Sequence, residues 1–456
     1  MSHQHCREYH AAAGAGLPAI EQGMPAPAGT GLSRRSFLLR SAGLALSVYG
    51  GARLAPQALA EGIAAAAEAD AGGRVLVNIF FSGGLDSIGV LCPYEQGRYA
   101  DLRPTLRTPT GNRTPLGFAA DSGWFWHPDA APLKRLHEAG RLAIVPSVGY
   151  ADPNQSHFTS RHFWEVGAID VLARTGWMGR YLDTVGSLDN PLQGLTLGPS
   201  LVPSLAAATM PVAAVDAPRS YVFRTDGVWR EDLEPAMHQA LARLAQTPSH
   251  GDTVLAQAKF AQANASNLQA RLSTLAANTQ PDGYPAGVQF GQRLRNLAHM
   301  IDEGLPIRCA GLIANGDYDT HAGQGAGFAD HLPKALGAVE RFQQDLEQRG
   351  IADRVLTLIW SEFGRRPEEN GSRGTDHGAS AIGFVLGTRA RGYAGAARSG
   401  VVGAWPKIGA ADLDANGNIR HDLDFRDVYG SVLDQWLSAD VEAVLGNVRT
   451  DLPLVA

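Results

Sequence analysis

The sequence predicts an α/β fold, a three-layer sandwich with a central, mainly parallel sheet. Three observations carry that prediction. Five short apolar runs suit strands buried on both faces, helical patterns fall between them, and several runs end in glycine-rich or polar turns. The first run, residues 74–81 (RVLVNIFF), closes on Ser82-Gly83-Gly84. A helical pattern at 129–139 precedes the second run, 142–148 (LAIVPSV). The third is short, 312–314. The fourth, 355–360 (VLTLIW), follows a helical pattern at 328–349, and the fifth, 383–386 (GFVL), comes ahead of a last helical pattern at 427–437.

Residues 231–277 break the alternation. They are rich in Ala, Leu, Gln, Arg and Lys and poor in β-formers, and Thr247-Pro248-Ser249-His250-Gly251 interrupts them, which predicts two or three helices inserted on the core. Pro, Gly and Asp crowd 103–123 and 403–418, as in surface loops.

The chain has 456 residues, 45% hydrophobic and 18% charged, enough apolar surface for a large core and too little charge for general disorder. A net charge of -6, with no basic stripe or stacking aromatics, leaves no footprint for nucleic acid. The first sixty residues stand apart. Ser33-Arg34-Arg35-Ser36-Phe37-Leu38 precedes a mildly apolar stretch at 43–49, and Ala58-Leu59-Ala60 offers a small-residue cleavage site. This pattern predicts a twin-arginine signal over 1–60, export of the folded chain by the twin-arginine translocase, and an α/β domain over 73–456 that works in the periplasm or outside the cell. No other segment reaches the roughly 18 uninterrupted apolar residues of a membrane span. Of three cysteines, Cys6 falls in the signal, and Cys92 and Cys309 form either one disulfide or two buried thiols.

The chemistry concentrates just past strand ends, where open α/β sheets gather ligands. Asp317-Tyr318-Asp319-Thr320-His321 follows the third run, and Gly374-Thr375-Asp376-His377-Gly378 precedes the fifth. Both put carboxylates beside imidazoles in glycine-flanked turns, a donor mixture suited to Zn or Mn, with Mg or Ca as alternatives. Asp86 and Glu362 follow the first and fourth runs, and Ser156 and His157 follow the second by one loop. The expected ligands are Asp86, Asp319, His321, Glu362, Asp376 and His377, with Asp376 either a ligand or the group that orients His377. Ser156, in the Pro153-Asn154-Gln155-Ser156-His157 turn into a helix, is the candidate nucleophile or else an N-cap, and Thr159 is the substitute. Arg365 is the expected catalytic anion binder, with Arg366 beside it; the alternative is surface pairing with Glu368 and Glu369. His421 is a weaker ligand candidate, and His127, His162 and His331 read as structural.

Taken in order, SGGLDS, LRPTL, SHF with FWE, DTHAGQ, SEFGRR, GTDHG and FRDVYGSVL resemble the export-signalled bacterial family DUF1501 from Val75 to Leu437. The resemblance implies an alkaline phosphatase-like and sulfatase-like fold with a two-metal site. Within that superfamily the spacing is similar to the phosphopentomutase and cofactor-independent phosphoglycerate mutase branch. It implies that Asp319, His321 and His377 hold one divalent ion and that Asp86 helps hold a second. Where an Asp-His pair is expected for that second ion, this chain has Ser361-Glu362. Two ions about 3.5–4 Å apart would clamp the attacking and leaving oxygens of a displacement on phosphorus or sulfur.

The expected function is therefore exported, metal-dependent hydrolysis or transfer of a phosphate or sulfate ester, on a small-molecule or glycan anionic substrate. Two rivals stand beside it. Ser82-Gly83-Gly84-Leu85-Asp86-Ser87 also looks like the pyrophosphate loop of ATP pyrophosphatases, which leaves the later motifs unexplained. The other rival is a non-catalytic periplasmic binding protein on the same fold. A formylglycine sulfatase is disfavoured, because no Cys/Ser-x-Pro-x-Arg sequence surrounds a nucleophile.

Overall fold

The computed structural model describes residues 73–118, 122–188, 190–216, 234–245, 247, 259, 283–395 and 399–456. The expected signal at 1–60 lies outside the described residues, and so does most of the expected insertion at 231–277, of which the Glu234–Ala245 helix is described. In chain order the described strands are β1 (Val75–Phe80), β2 (Leu91–Cys92), β3 (Leu116–Gly117), β4 (Phe125–Trp126), β5 (Leu142–Gly149), β6 (Gly194–Thr196), β7 (Ala213–Ala214), β8 (Cys309–Ile313), β9 (Val355–Trp360), β10 (Arg365–Glu369), β11 (Thr375–His377), β12 (Ala381–Leu386) and β13 (Leu423–Asp424).

Eight of them make one sheet in the order β13-β5-β12-β9-β1-β8-β6-β7. Every pairing in it is parallel except those of β12, which runs antiparallel to β5 and β9. Because side chains alternate along a strand, β1 feeds two cores at once. Val75, Val77 and Ile79 pack into one, with the Ala131–Glu138, Gln289–Asp302 and Gln324–Gln348 helices. Leu76 and Phe80 pack into the other, with the His157–Val166, Trp177–Val185 and Phe425–Gln435 helices. Helices on both faces of a mainly parallel sheet make the predicted three-layer sandwich. β2, β4 and β3 form a small antiparallel sheet, and β10 with β11 forms a two-stranded ribbon.

The antiparallel β12 positions the site. A parallel strand there would be entered from the far edge of the sheet, whereas β12 is entered from the edge at which β1, β5, β8 and β9 end. The residues just ahead of it, 375–377, are thereby carried to that edge. Cys92 and Cys309 are buried free thiols, so the alternative of a disulfide does not hold. Burial pushes the Cys92 thiol up to about 12, which keeps it protonated and unreactive. Among the described residues no helix is long and apolar enough to cross a membrane.

His127 ties the Pro128–Ala130 turn to the core. Its Nδ1 accepts the Asp129 N–H at 3.2 Å, which requires a neutral ring. Burial pushes its pKa down to about 4, against the pull of the Asp129 carboxylate and with help from the Arg113 charge. The folded pKa lies below the ordinary 6.5, so this stabilisation is complete above pH 6.5 and is lost as pH falls toward 4, by about 3 kcal/mol in all. Urea denaturation of wild type at pH 7.5, 5.5 and 4 is expected to show that loss, and His127→Asn to show a flatter profile. Parallel curves for the two proteins would remove His127 as the cause.

Candidate metal centre

The loops after β1, β5, β8 and β9 leave the carboxyl edge of the sheet, and the segment entering β12 joins them there. Gly83, in the loop after β1, has φ +111°, and a Cβ on it would stand 2.3 Å from the Asp319 nitrogen. Glycine is therefore required for the first loop to lie on the loop after β8.

Asp319 is the hub where these loops meet. The Asp317 carboxylate turns the chain by accepting the Asp319 N–H at 2.9 Å, and the Asp319 side chain then points into the cleft, 3% exposed. Its Oδ1 lies 3.0 Å from His321 Nε2, 3.1 Å from His377 Nε2 and 2.5 Å from Arg365 Nη2, and its Oδ2 lies 3.5 Å from His157 Nε2. Burial alone would push the Asp319 pKa up. When the facing ring nitrogens carry protons, hydrogen bonds from His157, His321 and His377, together with the Arg365 charge, outweigh it and hold the carboxyl far below the usual range.

The other ring nitrogens set the protonation of this cluster. His157 Nδ1 is 2.8 Å from Glu362 Oε1, His377 Nδ1 is 2.8 Å from the Gln155 carbonyl oxygen, and His321 Nδ1 is 3.1 Å from Asp376 Oδ1. Carbonyl and carboxylate oxygens only accept, so each Nδ1 is the donor, and a neutral ring then aims its Nε2 lone pair at Asp319. His321 and His377 Nε2 are 2.9 Å apart. Lone pairs facing one another this closely repel unless a proton or a cation lies among them. The donor set fits a divalent ion: tetrahedral zinc, with bonds of 2.0–2.1 Å, places neighbouring ligand atoms about 3.3 Å apart. Ligand atoms of His157, Asp319 and His377 all lie within 4.8 Å of one another, and His321 adjoins through its contacts with the last two. His321 is the most open of the rings, its side chain 17% exposed, and marks the mouth of the site.

The expected residues divide into two groups. Asp319, His321 and His377 come together as anticipated from their turns. Asp86 does not join them: it caps the Ser87–Val90 turn by accepting the Gly89 N–H, and its oxygens are held by the buried Arg103 at 2.5 and 2.9 Å and by Gln324 Nε2 at 2.5 Å. Glu362 acts through His157, and its oxygens also accept the Gly83 and Gly84 N–H groups. Asp376 orients His321, where His377 had been expected.

Arg365 is corrected as well. It is fully buried and donates to the carbonyls of Gly83, Gly84 and Thr375 besides Asp319, which leaves no face for a substrate. Its neighbour Arg366 is half-buried, has no partner at Nε, and sits close enough to Asp376 to help hold that carboxyl down. Ser156 N-caps the His157–Val166 helix without a side-chain cap hydrogen bond, and Thr159 is half-buried one turn on. Ser156 sits between Gln155, whose carbonyl holds His377, and His157, whose ring faces Asp319. His162 is buried, His331 pairs with Asp330, and His421 lies against Gly149.

Sequence reasoning left His157 without a role, although it too stands one loop past the end of β5. It also gave no role to Gln155, Gln324 and Arg103, although Arg103 lies in LRPTL and Gln324 closes DTHAGQ. The SGGLDS loop lacks the donors that the ATP reading needs, because its Gly83 and Gly84 amides are spent on Glu362 and its Leu85 amide on Ser361 Oγ.

A family model described as "Protein of unknown function (DUF1501)" matches residues 172–446. No curated protein matches the chain. Among solved structures, the chain is similar to the PsFucS1 sulfatase from Pseudoalteromonas sp., at 14% identity over 87% of this chain and 72% of that one, with a TM-score of 0.31. It is similar to the lipoteichoic acid synthase LtaP from Listeria monocytogenes, at 9% identity over 84% and 75%, with a TM-score of 0.31. A protein in the alkaline phosphatase superfamily from Vibrio parahaemolyticus is 8% identical over 83% and 69%, with a TM-score of 0.33.

Proposed function

We propose, for a chain that belongs to the DUF1501 family, exported metal-dependent hydrolysis or transfer of a phosphate or sulfate ester. One observation supports this most: the imidazole Nε2 atoms of His157, His321 and His377 face the Asp319 carboxylate, each ring fixed at Nδ1 by an acceptor. His157, Asp319 and His377 would hold the ion, with His321 beside them at the open side. A divalent ion there supplies Lewis acidity toward a phosphoryl or sulfuryl oxygen. The chain's own groups do the rest. Ser156 is the nucleophile, the first N–H groups of its helix donate to an anionic oxygen, and Arg366 binds that oxygen from the mouth. The twin-arginine pattern at 1–60 supports export through the translocase to the periplasm or beyond.

A second reading has one observation behind it. Asp86, Glu362 and Arg365 are all engaged by buried partners, as in a fold kept for binding an anionic glycan without turnover. Assay of the zinc- or manganese-loaded protein on aryl phosphates and aryl sulfates separates the two. Hydrolysis is expected, lost on chelation and restored by the metal. Ser156→Ala is expected to lower kcat about 10³-fold or more, and Arg366→Ala to raise KM about 10- to 100-fold. A loss confined to Thr159→Ala would move the nucleophile there, and no turnover on any ester by the loaded wild type would favour the binding protein.

A further inference from the structure

The pair of ions expected from the sequence needs Asp86 and Glu362 as ligands to the second. Asp86 has no lone pair to spare, and Glu362 is turned to donors of its own. Asp86 is 1% exposed, with Oδ2 held by Arg103 Nη1 at 2.5 Å and Gln324 Nε2 at 2.5 Å, and Oδ1 by Arg103 Nη2 at 2.9 Å and the Gly89 N–H at 3.1 Å. Arg103 is itself fully buried and anchored to the ribbon, donating to the carbonyls of Pro367 at 2.9 Å and Arg366 at 3.0 Å. Glu362 accepts from two backbone amides and from His157.

Charge balance points the same way. Asp86, Asp319 and Glu362 are three buried carboxylates, and Arg103 and Arg365 are two buried guanidiniums. One negative charge remains for the ion to meet. A single divalent ion leaves one positive charge to receive an anionic ester; a second would leave three among side chains that are almost fully buried, where uncompensated charge is costly.

We infer that the chain holds one divalent ion, at His157, Asp319 and His377, and that Arg103 gives Asp86 the positive charge that a second ion would otherwise supply. This rests on the metal-centre reading above. The test is elemental analysis and zinc titration calorimetry of the full chain, with Asp86→Asn and His377→Ala alongside. One equivalent is expected in wild type, one still in Asp86→Asn, and almost none in His377→Ala. Two equivalents in wild type, falling to one in Asp86→Asn, would overturn the inference and leave the metal centre standing. No ion in wild type would overturn both. The wild-type stoichiometry decides the matter even if Asp86→Asn does not fold.

Discussion

Replacing Glu362 with alanine is expected to cost about 3–5 kcal/mol of folding stability, whereas Glu362→Gln keeps the fold and weakens divalent-ion binding about 10- to 100-fold. The first effect follows from what the carboxylate collects. Burial pushes the Glu362 pKa up, but the hydrogen bonds from His157 and the neighbouring backbone amides outweigh it and hold the carboxyl below its usual range. Removing it strands the Gly83 and Gly84 N–H groups, which have no water to turn to in this buried corner. The second effect follows from the proton on His157. A glutamine oxygen can accept the glycine amides, but its NH2 then faces His157 Nδ1 and makes that nitrogen an acceptor. The proton moves to Nε2, the atom aimed at Asp319, and the ring no longer offers a lone pair there. Urea denaturation reads the first effect and zinc titration of Glu362→Gln the second. An unchanged affinity in the amide variant would sink the tautomer account.

Much of this arrangement was legible in residues 312–386, and particular residues show where legibility stopped. The fourth run coincides with β9, because Val, Leu and Ile buried on both faces leave no other reading. β8 begins at Cys309, three residues ahead of the run, since Cys, Ala and Gly carry little strand signal and are held there by pairing with β1 and β6. The two- and three-residue strands β6, β7 and β13 were not seen at all, being too short to show a period. Asp319, His321 and His377 were found because glycine turns past strand ends restrict where such residues can go. Asp86 was misread for the opposite reason: its partner Arg103 lies seventeen residues on in a stretch read as surface loop, and only the packed ribbon brings the two together.

The choice between two adjacent arginines shows the same limit, and it yields the last large effect. Residues 365–369 form a strand, so Arg365 and Arg366 point to opposite faces. Without that strand in view, the sequence favoured the inward one for the substrate. Arg365→Met is expected to lose about 3–5 kcal/mol of stability, because it leaves Asp319 without its cation and three backbone carbonyls without donors. Arg365→Lys is expected to recover little. The acceptors lie in different directions around a planar fork, and an ammonium reaches them from one point only. A substrate anchor would behave differently, with KM rising while the urea midpoint stayed in place. Denaturation of both variants, next to the KM of Arg366→Ala, tells the two arginines apart: the inward one holds the loops that present Asp319, and the outward one meets the ester.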